Sequence, residues 1–341
     1  MINIALNGFG RIGKSLLRVL LNDERSKGHV ALKAINVGPT DGNMAAYFLK
    51  YDSVMGMLSN DPYVKEGMLY GIGEPVKLLS EKEITRDMWK KNDIEWVIDV
   101  SGRYTDREQA QEHITIGGAE GVVISAPAHG DDVTIIMGIN EDQFDRKKHR
   151  IVSLGSCTTN AVIPLIDIVE KKSTIAAIMI STTHAYTNSQ SLLDSMRTGH
   201  DVRRSRAAAL NIIPSDTGAV AVVKRLYPHL VSCVAGSALR VPVPVGSITD
   251  VIFELSTAVS DQEWRSWFEE SAQGRLKSIV AATTLPLVSS DFQGNTYSTT
   301  VDLSFTYGAG KLGRVMAWYD NEYGYSSRVC DFIIQHLAQK I

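Results

Sequence analysis

A cysteine opens an expected helix in Leu154-Gly155-Ser156-Cys157-Thr158-Thr159-Asn160, and 27 residues later a histidine closes an expected strand in Thr182-Thr183-His184. A thiol beside an imidazole can become a thiolate nucleophile, and the partial positive charge of a helix N-terminus favours the anion. A free cysteine is more often a small buried hydrophobe, and a single histidine more often structural. The polar neighbours Ser156, Thr158, Thr159 and Asn160 argue for the reactive reading, with His184 as general base or thiolate partner. Pro164 falls inside the expected helix, which calls for a first-turn position or a local kink. The other cysteines are Cys233 and Cys330. An odd count with no C-x-x-C pair argues against a disulfide framework and against a zinc site, so no metal is expected.

A second chemical signal is Gly8-x-Gly10-x-x-Gly13, which follows an apolar strand at 2–6 and opens a segment with Ile12, Leu16, Leu17, Val19 and Leu20 at helical spacing. In that context the glycines let the backbone approach a pyrophosphate, which the helix N-terminus attracts. A dinucleotide cofactor, NAD or NADP, is expected. The acidic residue that selects NAD at the end of the second strand is missing: the strand ends Ala34-Ile35-Asn36-Val37-Gly38, with Val37 at that place. Gly38 leaves room for a 2′-phosphate, and Thr40 and Ser195 are candidate donors to it, although no Arg or Lys adjoins Val37. NADP is therefore expected to serve at least comparably to NAD.

Arg203, Arg204, Arg206 and Arg240, with the hydroxyl-rich turns Thr187-Asn188-Ser189 and Ser215-Asp216-Thr217-Gly218, offer anion sites of the kind that hold phosphate. The alternative for each is a solvated surface charge or turn.

These groups need a scaffold. Strand, turn, helix and a strand at 30–35 make a βαβ unit, and further strands are expected at 96–100, 121–125 and 134–137. After about residue 150 a helix at 157–171 precedes strand-like runs at 175–183, 231–241, 249–257, 297–307 and 314–318, with helices at 217–226 and 261–273 and a last helix at 326–339 returning to the first domain. The expected fold class is α/β: a Rossmann-type doubly wound parallel sheet, residues 1–151 and 318–341, plus an α+β catalytic domain, residues 152–317, with a largely antiparallel or mixed sheet. The 341 residues suffice for two domains. A net charge of −3 with mixed signs shows no nucleic-acid footprint. No apolar stretch reaches membrane-spanning length and no basic leader precedes the first strand, so a cytoplasmic protein with no membrane partner is expected.

Taken together, the chain resembles phosphorylating glyceraldehyde-3-phosphate dehydrogenase over nearly its whole length. The resemblance is carried by Asn7-Gly8-Phe9-Gly10-Arg11-Ile12-Gly13, Leu49-Lys50-Tyr51-Asp52-Ser53, Ser125-Ala126-Pro127 and Ser156-Cys157-Thr158-Thr159-Asn160. It continues in Arg203-Arg204-Ser205-Arg206-Ala207-Ala208, Leu239-Arg240-Val241-Pro242 and the run from Trp318 to Ser326. The resemblance implies that Cys157 attacks an aldehyde, that His184 sustains the thiolate and moves the proton, and that inorganic phosphate discharges the thioester as an acyl phosphate. It implies Thr187 and Arg240 for the substrate phosphate, and Ser156, Thr158, Arg204, Thr217 and Gly218 for inorganic phosphate. For the cofactor it implies Gly8, Gly10, Gly13, Ser125 and backbone contacts at Arg11 and Ile12, with Asn321 on the nicotinamide carboxamide. Its partners would be a small phosphorylated aldehyde and inorganic phosphate, and its assembly a homotetramer.

The chain departs from the family pattern at Leu154-Gly155, Ala161, Ala185, Ser189 and Val243, and in the longer segment Ser195-Met196-Arg197-Thr198-Gly199. None of these removes a catalytic group. Two rivals remain: an erythrose-4-phosphate dehydrogenase, which releases a free acid, and a catalytically weak dinucleotide-binding redox sensor. Thr187 in His184-Ala185-Tyr186-Thr187 favours the phosphorylating reading over the first, and intact Cys157, His184 and Arg240 argue against the second.

Overall fold

The computed structural model describes residues 1–196 and 201–339; Arg197, Thr198 and Gly199 of the lengthened segment lie outside the described residues. Strand β1 (Ile2–Asn7) leads through the glycine turn into helix α1 (Arg11–Asn22) and then strand β2 (Val30–Asn36). The inward face of α1 is Leu16, Leu17, Val19 and Leu20, all buried, so the helical spacing seen in the sequence is its core stripe.

The nine-stranded first sheet has the spatial order Val133–Thr134, Ile151–Ser153, Gly121–Ile124, Trp96–Asp99, β1, β2, Val76–Leu79, Met68–Tyr70, Tyr63–Lys65. It is parallel as far as Val76–Leu79, after which the last two strands run antiparallel. An antiparallel edge on a doubly wound sheet is common. Asn7 pairs with Asn36 on one side and Asp99 on the other, so the ends of β1, β2 and Trp96–Asp99 meet where Asn7 Nδ2 donates to Asp99 Oδ2 at 2.6 Å and Asn36 Nδ2 to Asn7 Oδ1 at 2.8 Å. That buried polar chain sits directly under the glycine turn.

The second, seven-stranded sheet has the order Ile213–Ser215, Val234–Val241, Ile175–Ala185, Ser247–Val259, Tyr307–Tyr319, Thr299–Asp302, Val280–Thr283. It is mixed: Ile175–Ala185 runs parallel to Val234–Val241, and Val280–Thr283 to Thr299–Asp302, the rest being antiparallel. The helix Cys157–Glu170 is buried from Thr158 to Val169, as expected of a helix apolar nearly all round. Helix Asp261–Gln273 begins at Ser260, whose side chain accepts from Glu263 N.

Several expectations are corrected. The strand expected at 134–137 pairs only at Val133–Thr134, because Asn140 takes over the following backbone: its Oδ1 accepts from Ile136 N at 2.8 Å and its Nδ2 donates to Thr134 O at 2.9 Å. The run 297–307 is broken after Asp302 by one tight turn, Leu303–Phe305, capped by the Asp302 side chain. The strand then restarts as Tyr307–Tyr319, far longer than the expected 314–318. Val231–Cys233 precede rather than join the strand Val234–Val241. Pro164 lies deep in its helix, not in the first turn. The expected last helix starts at Tyr323 and changes to a wider turn at Ile333–Leu337.

Contacts divide the chain into one unit of Met1–Gly155 with Ser326–Ile341 and another of Ser156–Tyr325. The borders expected at 151/152 and 317/318 would cut the strands Ile151–Ser153 and Tyr307–Tyr319. The two contact units divide instead at 155/156 and 325/326.

Helix α2 (Gly42–Lys50), begun by the Asp41 side chain, leads to Asp52 of the Leu49–Ser53 run, a residue with no role evident from its type alone. Asp52 accepts from Arg11 Nη1 at 2.5 Å, Lys14 Nζ at 3.2 Å, and the backbone N–H groups of Val54 and Met55 at 2.9 Å each. The same loop is pinned by buried Arg18, which donates to the carbonyls of Leu49 (2.7 Å), Gly56 (2.9 Å) and Met55 (3.2 Å). Burial works against the Asp52 charge, yet the bonds from Arg11, Met55 and Val54 outweigh it and hold the carboxyl below the usual carboxylate range. A carboxyl whose folded pKa is depressed stabilises the fold above its unfolded pKa and loses that contribution as pH falls. Asp52→Ala is expected to cost about 3 kcal/mol at neutral pH, with the difference from the parent shrinking below about pH 4, as read by urea unfolding at several pH values.

Candidate active site

Cys157 is the first residue of its helix, and Ser156 is the N-cap, with its Oγ accepting from Thr159 N at 3.1 Å. The cap fixes the entry angle of the chain, so the half-buried thiol stands at the positive end of the helix. His184 lies near the end of Ile175–Ala185 and is buried, with Nε2 at 3.4 Å from Cys157 Sγ. The two groups flagged by type and spacing therefore meet.

Across the imidazole, Nδ1 lies 2.7 Å from Ala185 O and 2.7 Å from Arg240 Nη1, which is itself 3.2 Å from Ala185 O. With the proton on Nδ1 given to the Ala185 carbonyl, the Arg240 N–H donates to that same carbonyl rather than to the ring, and the Nε2 lone pair faces the sulfur, the arrangement of a base. Burial pushes the His184 pKa down to about 3, and the charge of Arg240 adds to the shift. Burial likewise pushes the Cys157 thiol up, opposed by Arg240 and by hydrogen bonds to Thr158. Burial is the largest of these contributions, so the resting thiol lies above its ordinary value. Each group by itself favours neutrality, so proton transfer between them needs the cations and N–H donors gathered around the sulfur.

Two buried tyrosines that sequence reasoning did not single out complete this surround. Tyr319 OH lies 3.0 Å from Thr158 Oγ1, and its ring meets His184 edge-on at 6.0 Å. Burial raises both Tyr319 and Tyr325, and the nearby thiolate raises them further, so both phenols stay protonated. Tyr319 was visible in the sequence as an inward-facing aromatic two residues before Asn321.

The expected phosphate residues fare unevenly. Arg240, last but one in the strand Val234–Val241, is paired with His184, and its Nε is buried with no partner among the described residues. Arg204 also bears on His184 through its charge. Its neighbours do not: Arg203 pairs with Asp201 at 2.5 Å and Arg206 with Asp194 at 2.7 Å. Thr187 Oγ1 is 2.9 Å from Ser189 Oγ. Thr217 Oγ1 accepts from Ala219 N at 3.3 Å, and Gly218 precedes helix Ala219–Leu226. The hydroxyl of Thr158 faces Tyr319 and that of Ser156 caps its own helix, so neither points freely outward.

In the first unit the glycine turn has the shape a dinucleotide needs. Gly8 has φ +104°, and a Cβ there would lie 2.8 Å from the Ser101 backbone. Around Gly10 a Cβ would meet nothing within 4 Å, which leaves backbone open to a pyrophosphate, and no side chain caps α1. Ile12 and Gly13 follow in α1, Arg11 is held by Asp52, and Ser125 follows the strand Gly121–Ile124, its N–H on Asp99 O at 2.9 Å. The proposed 2′-phosphate donors are otherwise engaged: Thr40 Oγ1 donates to Val37 O at 3.3 Å, and Ser195 Oγ lies 2.6 Å from Ser191 Oγ. Asn321, in the second unit, accepts on Oδ1 from Ser247 Oγ at 3.1 Å. Among the described residues no group of three or more His, Cys, Asp or Glu could hold a metal, and no helix is long and apolar enough to cross a membrane.

Two family profiles match the chain: "Glyceraldehyde 3-phosphate dehydrogenase, NAD binding domain" over residues 2–107 and "Glyceraldehyde 3-phosphate dehydrogenase, C-terminal domain" over residues 156–321. Among curated relatives, the glyceraldehyde-3-phosphate dehydrogenase of Priestia megaterium and glyceraldehyde-3-phosphate dehydrogenase 1 of Bacillus subtilis are each 40% identical over 340 residues, 99% of both chains. That of Geobacillus stearothermophilus is 39% identical over the same length. A thiol and imidazole paired at a helix N-terminus, a glycine turn shaped for a dinucleotide and identity spanning both units lead to one conclusion: the chain belongs to the glyceraldehyde-3-phosphate dehydrogenase family.

Proposed function

We propose that this protein oxidises glyceraldehyde 3-phosphate with inorganic phosphate and NAD(P) to 1,3-bisphosphoglycerate and NAD(P)H, reversibly, through covalent intermediates on Cys157. The observation that carries the reading is the 3.4 Å approach of Cys157 Sγ to His184 Nε2.

The Cys157 proton passes to Nε2, and the sulfur electron pair attacks the aldehyde carbon. The alkoxide formed takes that proton back, giving a neutral thiohemiacetal. The backbone N–H of Cys157, first in its helix and so without an intrahelical acceptor, is suited to stabilise the developing oxyanion. Nε2 then removes the hydroxyl proton as the carbon is oxidised to a thioester. The bound nicotinamide supplies the hydride acceptor. An oxygen of inorganic phosphate attacks the thioester carbon, and the C–S bond breaks to return the Cys157 thiolate and release the acyl phosphate. Arg240 and Thr187 are assigned to the substrate phosphate, and Ser156, Thr158, Arg204, Thr217 and Gly218 to inorganic phosphate. Gly8, Gly10, Arg11, Ile12, Gly13 and Ser125 are assigned to the cofactor, with Asn321 on the carboxamide. Because Ser156 and Thr158 hydroxyls already have partners, the weight of phosphate binding is assigned to Arg204 and Arg240. The absence of a carboxylate at Val37 supports use of NADP beside NAD. A homotetramer located in the cytoplasm is assigned from the family resemblance alone.

Turnover should be measured on glyceraldehyde 3-phosphate and erythrose 4-phosphate, with and without phosphate, and with each cofactor. The expected result is phosphate-dependent oxidation of the triose phosphate, with NADP used at least comparably to NAD and any NAD preference in kcat/KM well below about a hundredfold, near 2.7 kcal/mol. Preference for the tetrose without phosphate dependence would move the protein to the rival activity, and a larger NAD preference would show that another residue supplies the selection missing at Val37.

His184→Asn should lower turnover by about 10²–10⁴-fold and raise the apparent pKa of Cys157 alkylation by iodoacetamide. An unchanged alkylation profile would remove His184 from its role.

A further inference from the structure

Ser247 opens the central strand of the second sheet, directly opposite Tyr319 on one side and beside the end of Ile175–Ala185 on the other, and it is 1% exposed. Its Oγ accepts from Ala185 N at 3.1 Å and donates to Asn321 Oδ1 at 3.1 Å. A hydroxyl has one proton. With its oxygen accepting from the Ala185 N–H, the serine gives that proton to Asn321 Oδ1, which as an amide oxygen can only accept. Asn321 is 4% exposed, its Oδ1 is bound in this way, and no acceptor takes its Nδ2 among the described residues.

We propose that Ser247 is a positioning residue for hydride transfer: by holding Asn321 Oδ1 it makes Asn321 present its N–H donor, and so recognise the carbonyl oxygen of the nicotinamide carboxamide rather than its amino group. The inference rests on the reading of Asn321 as the carboxamide partner. The same hydroxyl ties Asn321 to the Ala185 peptide, whose carbonyl holds His184 Nδ1. One buried serine thus joins the support of the base to the support of the cofactor ring.

The test uses binding rather than turnover. Dissociation constants of the full-length protein are measured by tryptophan fluorescence for NAD and for 3-acetylpyridine adenine dinucleotide, which keeps the carbonyl and replaces the amino group by methyl. The parent should bind both within about threefold, because a donor on Asn321 needs only the carbonyl. Asn321→Ala should weaken both by about tenfold, and Ser247→Ala by a similar factor. Ser247→Ala should add nothing in the Asn321→Ala background, and Ser247→Thr should restore binding. Parent discrimination against the analogue by more than about tenfold, lost in Asn321→Ala, would mean that Asn321 presents its oxygen and would overturn the proposal. So would undiminished binding in Ser247→Ala while Asn321→Ala weakens it. Unchanged binding in Asn321→Ala fails the carboxamide reading itself, a separate outcome. Should Ser247→Ala not fold, the parent's analogue ratio and Ser247→Thr still decide the question.

Discussion

Everything in the second unit is arranged around a proton that must move between two buried groups 3.4 Å apart. Burial opposes charge on both: it lowers His184 to about 3 and raises the Cys157 thiol. An isolated pair of this kind would stay neutral and unreactive. Arg240 stabilises the thiolate but penalises the imidazolium, so it helps only one half of the pair. The N–H donors at the helix start and the Ala185 carbonyl on Nδ1 serve the other needs. An anion bound to Arg240 would reduce its penalty on His184, which links recognition of a phosphorylated substrate to chemistry at the thiol.

The scaffold follows from that constraint. The nucleophile begins a helix buried from Thr158 to Val169, which leaves it little freedom to shift. The base and Arg240 lie in neighbouring parallel strands at paired positions, His184 opposite Arg240. Side chains at paired positions of adjacent strands project on the same face and stand close. The base and the cation that tunes it are thus held by one register, while Tyr319 and Ser247 on the adjoining strands close the surround.

Residue types and spacing were enough to read the glycine turn, the Cys157 helix, its pairing with His184 and the helix Asp261–Gln273, because each carries a local mark: a glycine triplet after a strand, a serine cap, an apolar run ending in polar residues. The antiparallel strands Tyr63–Lys65 and Met68–Tyr70 carry no such mark, being three residues each and without alternation that distinguishes them from loop. The break after Asp302 was hidden because a side chain capping a turn interrupts an otherwise strand-like run. Asn140 did the same to the strand at 134. The hydroxyls of Ser156 and Thr158 could be counted from sequence but not their partners, which come from Thr159 in the next turn and from Tyr319 far along the chain. Ser247 was invisible for a like reason: its meaning lies in two long-range bonds.

The central claim is that carbon oxidation and phosphate attack are separate events joined by a thioester on Cys157. Intact-protein mass spectrometry after mixing with aldehyde and cofactor in phosphate-free buffer tests it directly, followed by peptide mapping and then by addition of inorganic phosphate. The account predicts one acyl adduct per chain, mapped to Cys157, that disappears when phosphate is added as the acyl phosphate is released. An adduct at another residue, or turnover with phosphate at full rate and no adduct on Cys157 under any condition, would contradict it.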